Sequence, residues 1–303
     1  MPHVTALARE RLGPIGAWIG GPEHTADSAD LQRRELRRLD ELDFYGSVWT
    51  GETVGGRDVY AQLGVWLAAT GRIAVGSGIA NVWARAPQAA QAAAATLAEA
   101  YPERFIHGVG IGHAMQAQQV GGDYRTPITA MRDYLRRMDE EHAQSPFAVP
   151  PFPRVIAAVG PRMLDLAAEY ADGAHPYFVP VEHTVEARRR LGREALLIPE
   201  QSVLVEPDDT TLAAYRQRIA IGTTIGHYRK NLLKFGLTEH DLDTANDRFF
   251  HRVAVAGSPE HVAQRIVEHL QAGADHVLVN PFGTLPSVVD QLARLIPVLR
   301  ESI

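Results

Sequence analysis

The chain of 303 residues contains no cysteine, which excludes disulfide scaffolds, thiolate zinc sites, iron–sulfur clusters and cysteine nucleophiles together. Lysine is nearly absent too: Lys230 and Lys234 are the only two among 30 basic residues. With a formal net charge of −6 and no long basic run, the chain lacks the electrostatic footprint of a nucleic-acid binder. No apolar run approaches the roughly 18 residues that span a bilayer. Residues 1–11 lack the basic-then-apolar layout of a signal peptide. The expectation is a soluble, cytoplasmic protein that acts on a small molecule without nucleic-acid or membrane partners. Neither the HExxH zinc motif nor a Gly-x-Ser-x-Gly elbow occurs, so a zincin or an esterase-type nucleophile is not expected.

What is present is periodic. The alanine-rich stretch 88–100 lies between Pro87, which suits a first turn, and Pro102, which ends the run, and so reads as a helix. Val289, Leu292, Leu295, Ile296 and Leu299 step by three and four. Val262, Ile266 and Leu270 do the same behind the start signal Ser258-Pro259-Glu260. Between the helical patterns lie eight short apolar runs, at 15–19, 45–49, 73–80, 105–109, 154–158, 173–178, 195–205 and 276–280. Most do not alternate strictly, as befits strands covered on both faces. Alternating strand and helix signals indicate parallel β/α units. Eight of them suit a closed (β/α)8 TIM barrel filling residues 1–303 as one domain, with lid-like loops at 113–127 and 235–250. The alternative is an open, doubly wound sheet, which needs fewer strands. It would normally place a phosphate-binding glycine fingerprint where this chain has Gly20-Gly21-Pro22-Glu23-His24.

A barrel carries its chemistry at the carboxyl ends of its strands. Trp18, Trp49, Trp83 and Tyr177 fall near such ends; they would either line a flat apolar pocket or simply plug the barrel mouth. His113 and His175 also end strands, where an imidazole can move a proton near neutral pH or act as a hydrogen-bonded structural group. Glu52 follows the second run. The segment Gly108-Val109-Gly110-Ile111-Gly112-His113 has histidine where a dinucleotide loop needs its last glycine, so its glycines more simply let the backbone approach a planar ligand. Val159-Gly160-Pro161-Arg162-Met163 joins a strand end, a glycine turn and a proline-initiated helix. That arrangement presents free amides and the positive end of a helix dipole to an anion.

With these residues in view, the chain resembles the luciferase-like monooxygenases and coenzyme F420-dependent oxidoreductases almost end to end. The strings that carry the resemblance are 44–52 (Phe-Tyr-Gly-Ser-Val-Trp-Thr-Gly-Glu), 73–81 (Ile-Ala-Val-Gly-Ser-Gly-Ile-Ala-Asn), 104–112, 158–162 and 254–260 (Ala-Val-Ala-Gly-Ser-Pro-Glu). The resemblance implies a barrel that holds the 8-hydroxy-5-deazaflavin F420, or FMN as the alternative, at the strand ends. A non-proline cis peptide would fall at Gly78–Ile79. Asn81, Gly110, Ile111, Gly112 and Gln116 would contact the ring and ribityl chain; Val159, Gly160, Pro161, Arg162 and Met163, with Gly173 and Ala174, would hold the phosphate. Independently of the resemblance, their places at strand ends make Trp18, Trp49, Trp83, His175 and Tyr177 the expected substrate pocket. The chain departs from the family where an Asp-His pair follows the second strand, having Glu52-Thr53 there, and where a glutamate follows the fourth, having His113. His113 and Glu52 are therefore the candidates for proton handling. The expected activity is hydride transfer between the deazaflavin and a small organic substrate. An FMN-dependent monooxygenase and a non-catalytic flavin-binding relative are the alternatives, and a homodimer is expected by analogy.

Overall fold

In the computed structural model, which describes residues 2–143 and 146–303, the short apolar runs pair side by side in one direction. They form β1 (Ile15–Trp18), β2 (Ser47–Thr50), β3 (Ala74–Ser77), β4 (Ala80–Asn81), β5 (Phe105–Gly110), β6 (Arg154–Ala157), β7 (Gly173–His175), β8 (Leu196–Leu197), β9 (Glu200–Val205), β10 (Ala254–Gly257) and β11 (Val277–Pro281). The sheet runs β10-β9-β11-β1-β2-β3-β5-β6-β7-β8, with β4 beside β5. The ring closes because β8 and β9 are two halves of one bent run. Ile198 N donates to Ala174 O and Glu200 N to Pro176 O, both at 2.9 Å, on the β7 side. Asp275 N donates to Leu197 O and Leu278 N to Pro199 O, again at 2.9 Å, on the β11 side. The fold is the expected parallel α/β barrel.

Three local differences from the sequence reading have physical causes. The run 73–80 is broken into β3 and β4 at Gly78 and Ile79, and the run 195–205 bends at Pro199, which cannot donate to a ladder. β10 was not anticipated; four small residues, Ala-Val-Ala-Gly, give too weak a signal, and the strand pairs only with β9. The helix predicted at 88–100 is Pro87–Ala100, and Ser258 Oγ caps Pro259–Gln271 by accepting from His261 N at 3.4 Å. Among the described residues no helix is long and apolar enough to cross a membrane.

Both faces of the sheet are buried. Outside, Leu36, Leu39, Val262, Ile266 and Leu292 from the helices pack with Val48, Val75 and Val277 from the strands. Inside, Trp49, Ala74, Ile106, Val155, Leu196 and Leu278 fill the lower barrel, and Ala8 and Leu12 of the helix Pro2–Leu12 belong to the same cluster. Trp49 lies here, wholly buried, because Gly76 leaves room for it: a Cβ on Gly76 would sit 2.4 Å from the indole. Its polar edge is satisfied by a chain of donors. The carbonyl of Gly13 can only accept, so His276 Nδ1 carries the proton (2.7 Å). His276 Nε2 then accepts from Ser47 Oγ (2.6 Å), which accepts from Trp49 Nε1 (2.8 Å).

Burial holds His107 and His269 at a pKa of about 3, and His175, His183 and His276 at about 4, against an ordinary 6.5. Above pH 6.5 these imidazoles are neutral whether or not the chain is folded. As pH falls from 6.5 toward 4, the unfolded chain takes up protons that the folded one excludes. Stability then drops by on the order of 1 kcal/mol per histidine per pH unit. Glu200, pushed up by its own burial, acts in the opposite sense but is one group against five. The urea midpoint is expected to fall steeply between pH 7 and pH 5; an unchanged midpoint would show that these imidazoles are hydrated.

Candidate active site

Because all strands point the same way, their carboxyl ends share one rim, and a cavity of about 760 Å³ opens there. That volume suits a ligand the size of a cofactor with a small substrate. The Gly78–Ile79 peptide at its floor is cis. Gly78 N donates to Thr50 O at 2.7 Å and Ile79 O accepts from Glu52 N at 3.1 Å, which fixes this bulge between neighbouring strands. A Cβ on Gly78 would stand 2.8 Å from Trp18 Nε1 and 3.1 Å from His175 Nε2. Those two buried nitrogens have no partner among the described residues. His175 Nδ1 donates to Ile198 O (2.7 Å), so its Nε2 is a bare acceptor, whereas Trp18 Nε1 is a donor. Both ring nitrogens, Trp18 Nε1 and His175 Nε2, are turned onto the Gly78 bulge.

The expected residues divide. Trp18, Glu52, Gly78, Ile79, Ile111, Gly112, His113, Gln116, His175 and Tyr177 line the cavity, as do Val159, Gly160, Pro161, Arg162 and Met163. Trp49, Trp83, Asn81, Gly110, Gly173 and Ala174 do not. Trp49 is packed below the floor. Trp83 turns away, its Nε1 donating to Ile111 O at 2.8 Å and its ring against Tyr124. Asn81 stands behind the wall, where its Nδ2 donates to Gln116 Oε1 at 3.0 Å. Gly110 backs Ile79, whose Cγ1 a Cβ there would meet at 2.5 Å. Gly173 and Ala174 lie within β7, and a Cβ on Gly173 would meet Leu196 O at 2.1 Å. The small residue serves strand packing rather than a ligand.

Glu52 is committed to the protein. Its oxygens accept from Val59 N (3.2 Å), Asn81 N (2.8 Å), Arg85 Nη1 (2.8 Å) and Arg85 Nη2, and Arg85 Nη2 also reaches Asp58 Oδ2 at 2.8 Å. Four donors occupy the roughly four lone-pair positions of a carboxylate. This clamp ties the loop after β2 to β4, and it leaves His113 as the proton-handling candidate of the two. The ring of His113 stacks on His227 with centroids 5.1 Å apart and meets Tyr228 edge-on at 5.8 Å. Burial lowers the pKa of His113, and burial followed by the nearby His113 lowers His227 to about 4. Both are neutral at physiological pH. His227 was missed because nothing local separates it from the chain's other histidines; only helix packing brings it here.

The largest omission is the segment from Tyr215 to Lys234. The second lid was placed at 235–250, but those residues form the helices Glu239–Asp243 and Asp247–Val253 and line nothing in the cavity. Tyr215, Arg218, Ile219, His227, Lys230 and Lys234 line it instead. Both lysines of the chain thus face the cavity. Lys234 pairs with Glu186 at 2.5 Å and Arg218 lies 3.6 Å from Glu23, whereas Arg162 and Lys230 have no carboxylate partner among the described residues. At the turn, His183 Nε2 donates to Val159 O at 2.8 Å and Gly160 O accepts from Met163 N at 3.0 Å. Pro161 has no N–H, so Arg162 carries the one earlier amide of the helix Pro161–Tyr170 left without a helical acceptor.

Removing one member of the buried Glu52–Arg85 pair strands the other. Glu52→Ala is expected to cost about 3–5 kcal/mol of stability, and Glu52→Ala combined with Arg85→Met less than that. Denaturant melts of both proteins check this; a larger loss in the double variant would show that the pair is not the unit of stability.

A family model described as luciferase-like monooxygenase matches residues 15–276. A 5,10-methylenetetrahydromethanopterin reductase of Archaeoglobus fulgidus is 23 % identical over 84 % of this chain and 92 % of its own length. Two solved structures share the fold. An F420-dependent secondary alcohol dehydrogenase in complex with an F420–acetone adduct superposes with a TM-score of 0.73 at 17 % identity, covering 95 % of this chain and 99 % of its own. The FMN-bound oxygenating constituent of a Pseudomonas putida diketocamphane monooxygenase does so with a TM-score of 0.71 at 14 % identity, covering 94 % and 98 %.

Proposed function

The chain belongs to the luciferase-like monooxygenase family, and from that premise we propose that it is an oxidoreductase that binds coenzyme F420 and exchanges a hydride with a small organic substrate. The observation that carries the choice of cofactor is the positive charge on the cavity wall. Arg162 stands beside the amides of the 159–163 turn, and Lys230 and Lys234 follow one helical turn apart on the helix Gly226–Lys234. Lys234 is close enough to His183, which holds the turn, to influence its protonation. F420 carries a phosphodiester followed by carboxylates and so needs several cations in series. FMN ends in a single phosphate and needs fewer.

The residues present fit such a group. The Gly78–Ile79 bulge would back the ring, the side chains of Trp18 and His175 would stand beside it, and Gly112, Gln116 and the 159–163 turn would follow its chain. When bound, the deazaflavin supplies a hydride donor or acceptor at its C5. The chain's own residues do the rest. Tyr177, Phe178 and Phe282 wall the cavity with aromatic surface and exclude water. His113, which lines the cavity beside His227, would take a substrate proton on its neutral imidazole.

A neutral imidazole accepts a proton. The rate of substrate oxidation is therefore expected to rise with pH through the lowered pKa of His113, below 6.5, and to be flat above it. His113→Asn is expected to remove that acid limb and lower kcat by about 100-fold while leaving cofactor affinity unchanged. An intact limb in the variant assigns the proton to another group.

Fluorescence titration with F420 and with FMN tests the cofactor. F420 is expected to bind more tightly. Arg162→Ala with Lys230→Ala is expected to weaken F420 by at least about 10-fold, one charge-assisted contact being worth about that much, and to flatten the salt dependence of binding. Tight FMN binding with no affinity for F420 overturns the reading and favours an oxygen-consuming monooxygenase.

A further inference from the structure

Arg162, Lys230 and Lys234 are the cations assigned above to the cofactor; the cavity has one more, Arg218. It sits on the helix Asp209–Ala220, which follows β9. Its guanidinium is turned inward. Burial pushes the pKa of Tyr177, Glu200, Tyr215 and Tyr228 up, and the charge of Arg218 pulls each of the four back. Those groups stand on different elements: the segment after β7, β9 itself, and the helices Asp209–Ala220 and Gly226–Lys234. A charge felt by all of them lies among them.

The two carboxylates near this guanidinium make no hydrogen bond to it. Glu200 accepts from Ser202 Oγ (2.6 Å), Asn280 Nδ2 (2.8 Å) and Phe178 N (3.3 Å). Glu23 approaches on the Nε side, where its Oε2 lies 3.6 Å from Nε, too far to accept. The Glu23 carboxylate rests over Gly21, in space that a Cβ would take, 2.1 Å from Oε1. Arg218 Nε is wholly buried and reaches nothing in the cavity. Nη1 and Nη2 differ. No described group accepts from them, they are not among the wholly buried polar atoms, and the side chain is 28 % exposed on the cavity wall. The edge between them presents two parallel N–H bonds, spaced by covalent geometry to meet the two oxygens of one carboxylate.

We propose that the Nη1–Nη2 edge of Arg218 anchors the substrate, and that the substrate is a planar compound bearing a carboxylate. A neutral oxygen could meet the same N–H groups, but bonds from a guanidinium to a charged acceptor are roughly twice as strong. The surroundings favour the anion as well: the tyrosines and histidines of the wall are neutral, Arg162 and Lys230 have no carboxylate partner among the described residues, and Glu23 lies on the opposite side of the guanidinium. Aromatic surface leads away from the anchor. Tyr177 packs on Trp18 with centroids 5.2 Å apart, and Trp18 flanks Gly78. The body of the substrate would lie along these rings, toward the bulge. Arg218 is then a specificity-determining residue. Calling its ligand the substrate rests on the oxidoreductase reading, but recognition of the carboxylate does not need the cofactor.

The test is calorimetric titration of the full chain, with and without F420, at about pH 8 so that a carboxylic acid is ionised. The probes are cinnamate and cinnamamide, which share a shape and differ in charge. Cinnamate is expected to bind at least about 10-fold more tightly, with an affinity that falls as salt is added. Arg218→Gln is expected to abolish that preference and leave cinnamamide unchanged. Arg218→Lys, which keeps the charge but not the fork, should restore only part of it. Glu23→Gln, which removes the competing carboxylate, should tighten cinnamate by about 2- to 5-fold. Equal binding of the two probes, or unaltered cinnamate binding in Arg218→Gln, overturns the proposal. So does displacement of cinnamate by F420, which would put the anion at the phosphate end. Absence of F420 binding, with the preference for cinnamate still dependent on Arg218, would instead remove the cofactor reading and leave this one standing.

Discussion

A single bent run, 196–205, makes this molecule a ring. Its amino half bonds to β7 and its carboxyl half to β11 and β10, so each edge strand finds a partner and the sheet has an inside. Parallel strands in a closed ring must all end at the same rim. The lower barrel is filled by the strands' own side chains, from Trp49 to Leu278. Above them the filling stops, and the polar ends of the loops meet around an open volume. The position of the site follows from closure and direction alone.

A filled floor beneath an open mouth creates an imbalance that the protein does not resolve by itself. Buried donors and acceptors are costly when unmatched, and in this chain they gather on the cavity: the imidazole of His175, the indole of Trp18, the phenol of Tyr215. Elsewhere several of the same residue types are satisfied, although His107 Nδ1 and His183 Nδ1 are not. Tyr45 donates to Leu292 O at 2.8 Å, Trp66 to Gln32 Oε1 at 2.9 Å, and His276 is bonded at both nitrogens. The contrast sets the cavity wall apart from most of the interior. It also explains why Glu52, although it faces the cavity, is not part of the unsatisfied set: every lone pair on it is already taken by the clamp that fixes the bulge.

Much of this was legible in the amino-acid order. Runs without alternation announced strands buried on both faces. Gly160-Pro161 announced a helix start at a strand end, whereas the 73–80 run read as one strand and only the family resemblance pointed to a cis peptide at Gly78–Ile79. Less legible was which side of a rim residue faces the cavity. Trp18 and Trp49 end neighbouring strands at the same level, paired in register. One lies on the cavity floor and the other beneath it, because Gly76 opens a socket for the second. Trp83, one turn further, is captured by a carbonyl outside. Nor did any local pattern single out the helices carrying Tyr215, Arg218, His227 and Lys230, whose faces carry charge and aromatics on more than one side.

The order of residues by itself determined the fold class, the direction of the strands and hence the rim, because burial on two faces and a helix after every strand leave few other ways to pack. Only the tertiary structure decided which aromatic rings line the cavity, which carboxylate is already spent, and which helix walls the far side. Those outcomes depend on distances between groups far apart in the chain, down to the ångström or two that separates a hydrogen bond from a vacant donor. No spacing along the sequence encodes them.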